Sequence, residues 1–285
     1  MDFRTRTELP KNHLKLTFSQ KMLTVGSCFS DHIGQKLLDA GFNCRINPCG
    51  VLYNPSSIAS VLNGTFSDNT ALWLQQGIDP HAARQAMKEQ ADIVMVTFGT
   101  AWVFRLKSDG TIVANCRKQP EDLFQRNRLT VQDIVEEWIP LLNQRLKDWP
   151  QTQFIFTVSP IRHKNDGLHG NQLSKATLLL AVEQLCNAFP ESCQYFPAYE
   201  IVMDELRDYR FYADDMMHPS SLAIDYIWQC FCQTFLNNST QQMATHFERL
   251  HRTLRHQPSN PDDPTYRKLI ENTRNELNKL ICSTR

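Results

Sequence analysis

The sequence carries no excess of charge: thirty Lys and Arg balance thirty Asp and Glu over 285 residues. Nothing in that balance calls for nucleic acid or an anionic membrane surface as partner. No apolar run approaches the roughly 20 residues that a membrane-spanning helix needs. The opening Met1-Asp2-Phe3-Arg4 lacks the charged-then-apolar pattern of a secretory signal. Cysteine occurs nine times, at 28, 44, 49, 116, 186, 193, 230, 232 and 282, yet the number is odd and no CxxC pair is present. Disulfide frameworks and zinc knuckles need paired spacings, and their absence predicts a reducing, cytoplasmic setting. Walker loop, GxGxxG, HExxH and EF-hand patterns are also missing, so no nucleotide, metal or other cofactor is expected.

What is present is an ordinary globular composition, 41% hydrophobic and 21% charged, long enough for one substantial core with or without an appendage. Residues 1–20 read as an extended arm over the core. Apolar runs at Lys21–Val25, Phe42–Asn47, Ala91–Phe98, Gln153–Val158 and Tyr195–Tyr199 read as strands. Between them lie helical patterns at Asp31–Asp39, from Ser56 or Ser57 to Leu62, at the end of Trp73–Gln90, and at Thr130–Lys147 and Asn171–Phe189. A further helix, capped by Ser220 or Ser221, reaches Leu236. Residues 103–106 and 111–114 read as a hairpin across Ser108-Asp109-Gly110. Alternation of this kind predicts an α/β fold: a three-layer α/β/α sandwich with a mainly parallel sheet over residues 1–238. Residues 239–285, polar and helix-like with a break at Pro258–Pro264, read as a helical extension.

Functional groups of such sheets gather beyond the carboxyl ends of the strands. Thr24-Val25-Gly26-Ser27-Cys28-Phe29-Ser30 reads as strand, glycine turn and helix N-terminus. A nucleophile at that corner gains exposure, a depressed pKa and amide donors for an anion, and both Ser27 and Cys28 are candidates. Asp215-Met216-Met217-His218 places a carboxylate three residues before an imidazole, a spacing that lets Asp215 hold one ring nitrogen and free the other as base. Arg162 and His163 follow a strand and are candidates to bind an anionic substrate group. Tyr53, Trp102 and Tyr212 are candidates to stack on a sugar. Lys164–His169 reads as a loop over the site.

Gly26-Ser27-Cys28-Phe29, Asn47-Pro48-Cys49-Gly50 with Tyr53-Asn54-Pro55, Phe98-Gly99-Thr100-Ala101-Trp102, Ser159-Pro160-Ile161-Arg162-His163 and Asp215-Met216-Met217-His218-Pro219 together resemble the GSCFA domain family. Ser30 stands where the name motif has alanine. The family is similar to the SGNH (GDSL-like) hydrolases, and the resemblance implies that fold and ester chemistry. In register with the Gly-Asp-Ser-Leu block, Cys28 takes the nucleophile's position and Ser27 the aspartate's; a serine after glycine remains the alternative. Gly50 matches the second-block oxyanion amide. The third-block asparagine is missing at Gly99–Trp102, leaving Thr100, Asn54 or Asn115 as donors. The resemblance therefore implies an ester hydrolase, with O-acetyl groups on a glycan or small metabolite as the expected substrates. The alternatives are an acyltransferase with a thioester donor, favoured by a basic cleft near Arg162, His163 and Lys164, and a binding protein. The binding protein would show His218 out of reach of both Ser27 and Cys28. The expected partner is a small-molecule or glycan ester, with neither nucleic acid nor membrane, and the sequence sets no oligomeric state.

Overall fold

The computed structural model describes residues 4–11, 14–65, 79–116, 119–258, 260 and 263–284. Most of the Trp73–Gln90 segment before α3 (Pro80–Lys88) lies outside them. Five strands, β1 (Lys21–Gly26), β2 (Asn43–Ile46), β3 (Ile93–Phe98), β7 (Gln153–Val158) and β8 (Cys193–Tyr195), form one sheet in the order β2-β1-β3-β7-β8. Every pair in it is parallel. β4 (Trp102–Leu106), β5 (Ile112–Val113) and β6 (Phe124–Arg128) make a small antiparallel sheet in the order β5-β4-β6.

The two-residue period of the strands divides the core. Leu23, Val25, Val94, Val96, Phe98, Phe154, Phe156 and Val158 point to one face. There they pack with side chains of α2 (Pro55–Asn63), α4 (Val131–Asp148) and α5 (Gly167–Ala188). Met22, Ile93, Met95 and Ile155 point to the other, against α1 (Cys28–Asp39) and α6 (Ser221–Phe235). β3 is buried along its whole length, as a central strand covered on both faces must be. The architecture is the α/β/α sandwich that the alternation of elements predicts.

Two further helices, α7 (Asn238–Arg255) and α8 (Pro264–Thr284), close the chain. Phe247 of α7 lies against bare Gly41, where a Cβ would meet its ring at 2.5 Å, and against Phe18 of the N-terminal arm. The arm is tied down by Leu16, fully buried, whose amide donates to Phe235 O.

Several boundaries differ from the sequence reading, each for a local reason. α1 starts at Cys28, three residues upstream of the expected start, because Ser27 caps it. α2 starts at Pro55, with Asn54 accepting from Ser57 N at 2.8 Å, because proline suits the first helical position. Of the expected loop Lys164–His169, Lys164–Asp166 is a 3-10 turn and the rest is the first turn of α5, which begins at Gly167 rather than Asn171. The strand expected at Tyr195–Tyr199 ends at Tyr195, and Ala198–Glu205 is helical, with a π turn at Ile201–Glu205. β6, Phe-Gln-Arg-Asn-Arg, has one buried residue and hence no apolar alternation to reveal it.

Candidate active site

The site grows from the end of β1. Gly26 has φ +138°, and a Cβ there would sit 2.2 Å from Thr97 O, so only bare backbone lets β1 close on β3 at this point. Its amide donates to Asn47 Oδ1 at 2.9 Å. Ser27 is buried; its amide donates to Thr97 O and its Oγ accepts from Phe29 N at 3.3 Å. That hydroxyl is a helix cap. Cys28, half-buried, opens α1 with its Sγ 3.8 Å from His218 Nε2.

His218 is carried by a closed loop. Tyr212 pairs with Pro219, Ala213 N donates to His218 O, and Ser220 N donates to Phe211 O. Within the loop Met216 takes φ +59°, a left-handed conformation uncommon for a side chain of this kind. Asp215 Oδ1 accepts from the amides of Met217 and His218, both at 2.9 Å, and Oδ2 lies 2.5 Å from His218 Nδ1. These backbone donors, with the imidazole, hold the exposed Asp215 carboxyl down at about 2. With Nδ1–H donated to the carboxylate, Nε2 faces the thiol as acceptor.

The corner does not depress the thiol, contrary to the sequence expectation. Burial pushes Cys28 up, nearby Asp31 pushes the same way, and the first-turn amides and Lys175 oppose them. Cys28 therefore rests as a thiol and needs a base. Asp31 is itself raised by burial and is held by Asn47 Nδ2 at 2.6 Å.

The candidate oxyanion donors fare unequally. Gly50, at φ +78°, spends its amide on Asn47 O at 2.7 Å. Thr100 N donates to Tyr53 O, while its hydroxyl is shared between Ser174 Oγ and Trp102 N. Asn115 is exposed on the loop after β5 and has a partner of its own. Asn54 is buried and uses Oδ1 as the α2 cap, and among the described residues its Nδ2 makes no hydrogen bond. It adjoins Tyr53, whose carbonyl takes the amides of Gly99 and Thr100. Among the described residues the Cys28 amide donates to no backbone carbonyl.

Arg162 is not a free cation in a cleft. Its guanidinium lies 4.3 Å over Tyr212 and 5.4 Å from the Tyr209 ring, and its amide holds the histidine loop through Met217 O. His163 lies edge-on to Tyr53 at 5.8 Å, its Nε2 buried without a partner. Burial, with Lys175 and Arg126 adding to it, drives His163 down to about 3, so it is neutral. Trp102 packs away from this cluster, its Nε1 donating to Gly170 O at 3.4 Å.

Sequence reasoning missed Lys175. It is buried in α5, with Nζ donating to Gly99 O at 2.6 Å and Ser159 O at 2.7 Å. The available signal was a lysine on the inward stripe of a helix, beside Ser174 and Leu178. A cleft of about 630 Å³ lies elsewhere, between Arg4–Thr7 and Glu200–Phe211, and includes none of these residues.

The model of the GSCFA family matches residues 21–78 and 74–231. The chain belongs to the GSCFA family. No curated protein matches this GSCFA chain. Among solved structures it is similar to a catalytic mutant of Axe2, an acetylxylan esterase from Geobacillus stearothermophilus. The identity is 12% and the TM-score 0.44, covering 78% of this chain and 96% of that one. It is also similar to a family two carbohydrate esterase from Clostridium thermocellum in complex with cellohexaose (9%, TM-score 0.43, 76% and 64%). A third is the acetyl xylan esterase Est2A from the rumen bacterium Butyrivibrio proteoclasticus (15%, TM-score 0.40, 76% and 64%). Likenesses this distant carry no chemistry to the GSCFA chain. Among the described residues no group of His, Cys, Asp and Glu is placed to hold a metal ion, and no helix is long and apolar enough to cross a membrane.

Proposed function

We propose that the chain is an ester hydrolase with Cys28 as nucleophile. The observation that carries the reading is the unbroken line from Asp215 to His218 Nδ1 (2.5 Å) and from His218 Nε2 to Cys28 Sγ (3.8 Å). In this reading His218 takes the thiol proton as sulfur attacks the acyl carbonyl, and Asp215 stabilises the imidazolium. The oxyanion draws on the Cys28 amide and Asn54 Nδ2. Collapse expels the alcohol, which receives the proton from His218. Water, deprotonated by the same ring, then cleaves the thioester and returns the thiol. O-acetyl groups on a glycan or small metabolite are the proposed substrates.

The same contact speaks against a binding protein that has lost turnover, which would hold His218 out of reach. Arg162 stacked on tyrosines and neutral His163 leave little of the basic cleft that a thioester donor's phosphates would need. Hydrolysis is therefore preferred to acyl transfer.

The test is to incubate the protein with p-nitrophenyl acetate and acetylated xylo-oligosaccharides, and separately with iodoacetamide and a fluorophosphonate, mapping adducts by mass spectrometry. Turnover and Cys28 alkylation that both fall in His218→Ala support the reading. A fluorophosphonate adduct on Ser27, or no turnover with Cys28 reacting no faster than a model thiol, overturns it.

A further inference from the structure

Lys175 plays no part in the proton transfers above, yet it is the most expensive group near them. Its side chain is buried to 1% exposure, and among the described residues no carboxylate forms an ion pair with it. An ammonium so placed loses several kcal/mol of hydration unless something compensates. Its visible partners are two neutral carbonyls at 2.6 and 2.7 Å and the Tyr199 ring at 5.8 Å. Those carbonyls belong to Gly99 and Ser159, the residues that follow β3 and β7. Gly99 packs directly on the nucleophile's corner, since a Cβ there would lie 3.2 Å from Ser27 Cβ and 3.0 Å from Tyr53 O. One ammonium thus ties together the residues that follow β3 and β7, and through Gly99 it adjoins Ser27 at the corner that carries Cys28.

We infer that Lys175 is a positioning residue of this site, whose buried charge stabilises the Cys28 thiolate at the moment His218 removes its proton. The inference rests on the reading of Cys28 as nucleophile. The charge coupling has the sign this requires: Lys175 favours the Cys28 thiolate, and Cys28 in turn favours the Lys175 ammonium, which burial nonetheless brings down to about 7. The other titratable groups set against them are His218, 3.8 Å from the sulfur, Asp31, which opposes thiolate formation from α1, Tyr53 before α2, His163 from the loop after β7, and Tyr199 after β8. His163 is neutral and His218 becomes a cation only as it takes the proton, so Lys175 is the buried amine whose charge adds to that of the imidazolium.

Lys175→Gln keeps amide donors for one or both carbonyls but removes the charge; Lys175→Met, of similar length, removes both. Cys28 alkylation by iodoacetamide is followed from pH 5.5 to 11 in each variant and in the full-length parent, with thermal unfolding alongside. The expected result is a rate at pH 7 lower by about tenfold in Lys175→Gln, with the alkylation midpoint moved up by about one pH unit. A merely structural lysine would lower the melting temperature and leave that midpoint in place, and this outcome overturns the inference. Should neither variant fold, ¹³C-lysine NMR of the parent decides. The Lys175 signal must show a second step at the pH where Cys28 ionises, lost once Cys28 is alkylated, and the absence of that step refutes the coupling. Failure of the nucleophile reading looks different: parent alkylation is then slow and indifferent to His218→Ala.

Discussion

Ser27 and Cys28 are adjacent, and the structure gives them different work, so paired substitutions separate the two. Ser27 Oγ accepts one hydrogen bond, from Phe29 N at 3.3 Å, and the residue is 1% exposed. Ser27→Ala removes a helix cap whose usual worth is about 1 kcal/mol, and the long contact places it toward the low end, about 0.5–1 kcal/mol. For a chain of this size that lowers the melting temperature by roughly 1–3 °C. The thiol, the imidazole and the carboxylate stay where they are, so turnover should remain within about threefold of the parent. Cys28→Ala gives the opposite pattern. The side chain is only half-buried and its Sγ meets His218 alone as a polar partner, so the melting temperature should hardly move. Loss of the nucleophile should cut ester turnover by about 10³-fold or more. Differential scanning fluorimetry and p-nitrophenyl acetate hydrolysis read the two axes independently. Turnover abolished in Ser27→Ala but kept in Cys28→Ala would refute the assignment of cap and nucleophile together.

Asp215→Asn should lower kcat by about 10²–10⁴-fold with little change in KM, because an amide opposite Nδ1 favours the wrong tautomer; the pH-rate profile measures it. His163 is held neutral in the fold, so the unfolded chain binds the extra proton between pH 6.5 and about 3, and stability is lost as pH falls through that window. Over the 1.5 pH units from 6.5 to 5 the linkage is at most about 2 kcal/mol, and urea titrations of His163→Asn should show a correspondingly shallower acid loss. Asn54→Asp preserves the oxygen that caps α2 but removes the uncommitted Nδ2, so unfolding should change by less than about 1 kcal/mol while kcat drops by about 10²-fold or more. Equal activity in Asn54→Asp and the parent would remove Asn54 from the oxyanion site.

The parallel sheet was legible because its strands are continuous apolar runs separated by helical periods, and β3 is the clearest case. The candidate site was legible for another reason: Asp215 and His218 are local to one another, and the glycine turn marks the end of β1. What stayed hidden depends on contacts remote in sequence. The bond from Lys175 Nζ to Gly99 O spans 76 residues, and nothing in the local spacing of α5 announces it. The pKa of Cys28 was misjudged because a helix N-terminus was visible and the burial around it, with Asp31 one turn on, was not. Gly50 was matched by motif position, yet its amide closes a turn onto Asn47 three residues back. A motif fixes where a residue stands in the chain but not which of its atoms are already bound.

That distinction bears on the proposal that cysteine, not serine, is the nucleophile at this corner. A serine hydroxyl keeps its proton until the transition state and depends heavily on a full set of oxyanion donors. Here two of the four side-chain or backbone donors named from the sequence are engaged by Tyr53, Ser174, Trp102 and Asn47, and a third lies on an exposed loop. A thiol ionises more readily and is the stronger nucleophile, so it asks less of the oxyanion hole and more of whatever stabilises the thiolate. Burial and Asp31 raise the cost of that thiolate, and the ammonium of Lys175 lowers it. The chemistry of this site is thus balanced on the sulfur's side of the reaction, and substitutions that alter the buried charge should weigh on Cys28 more than those that alter the donors around the carbonyl oxygen.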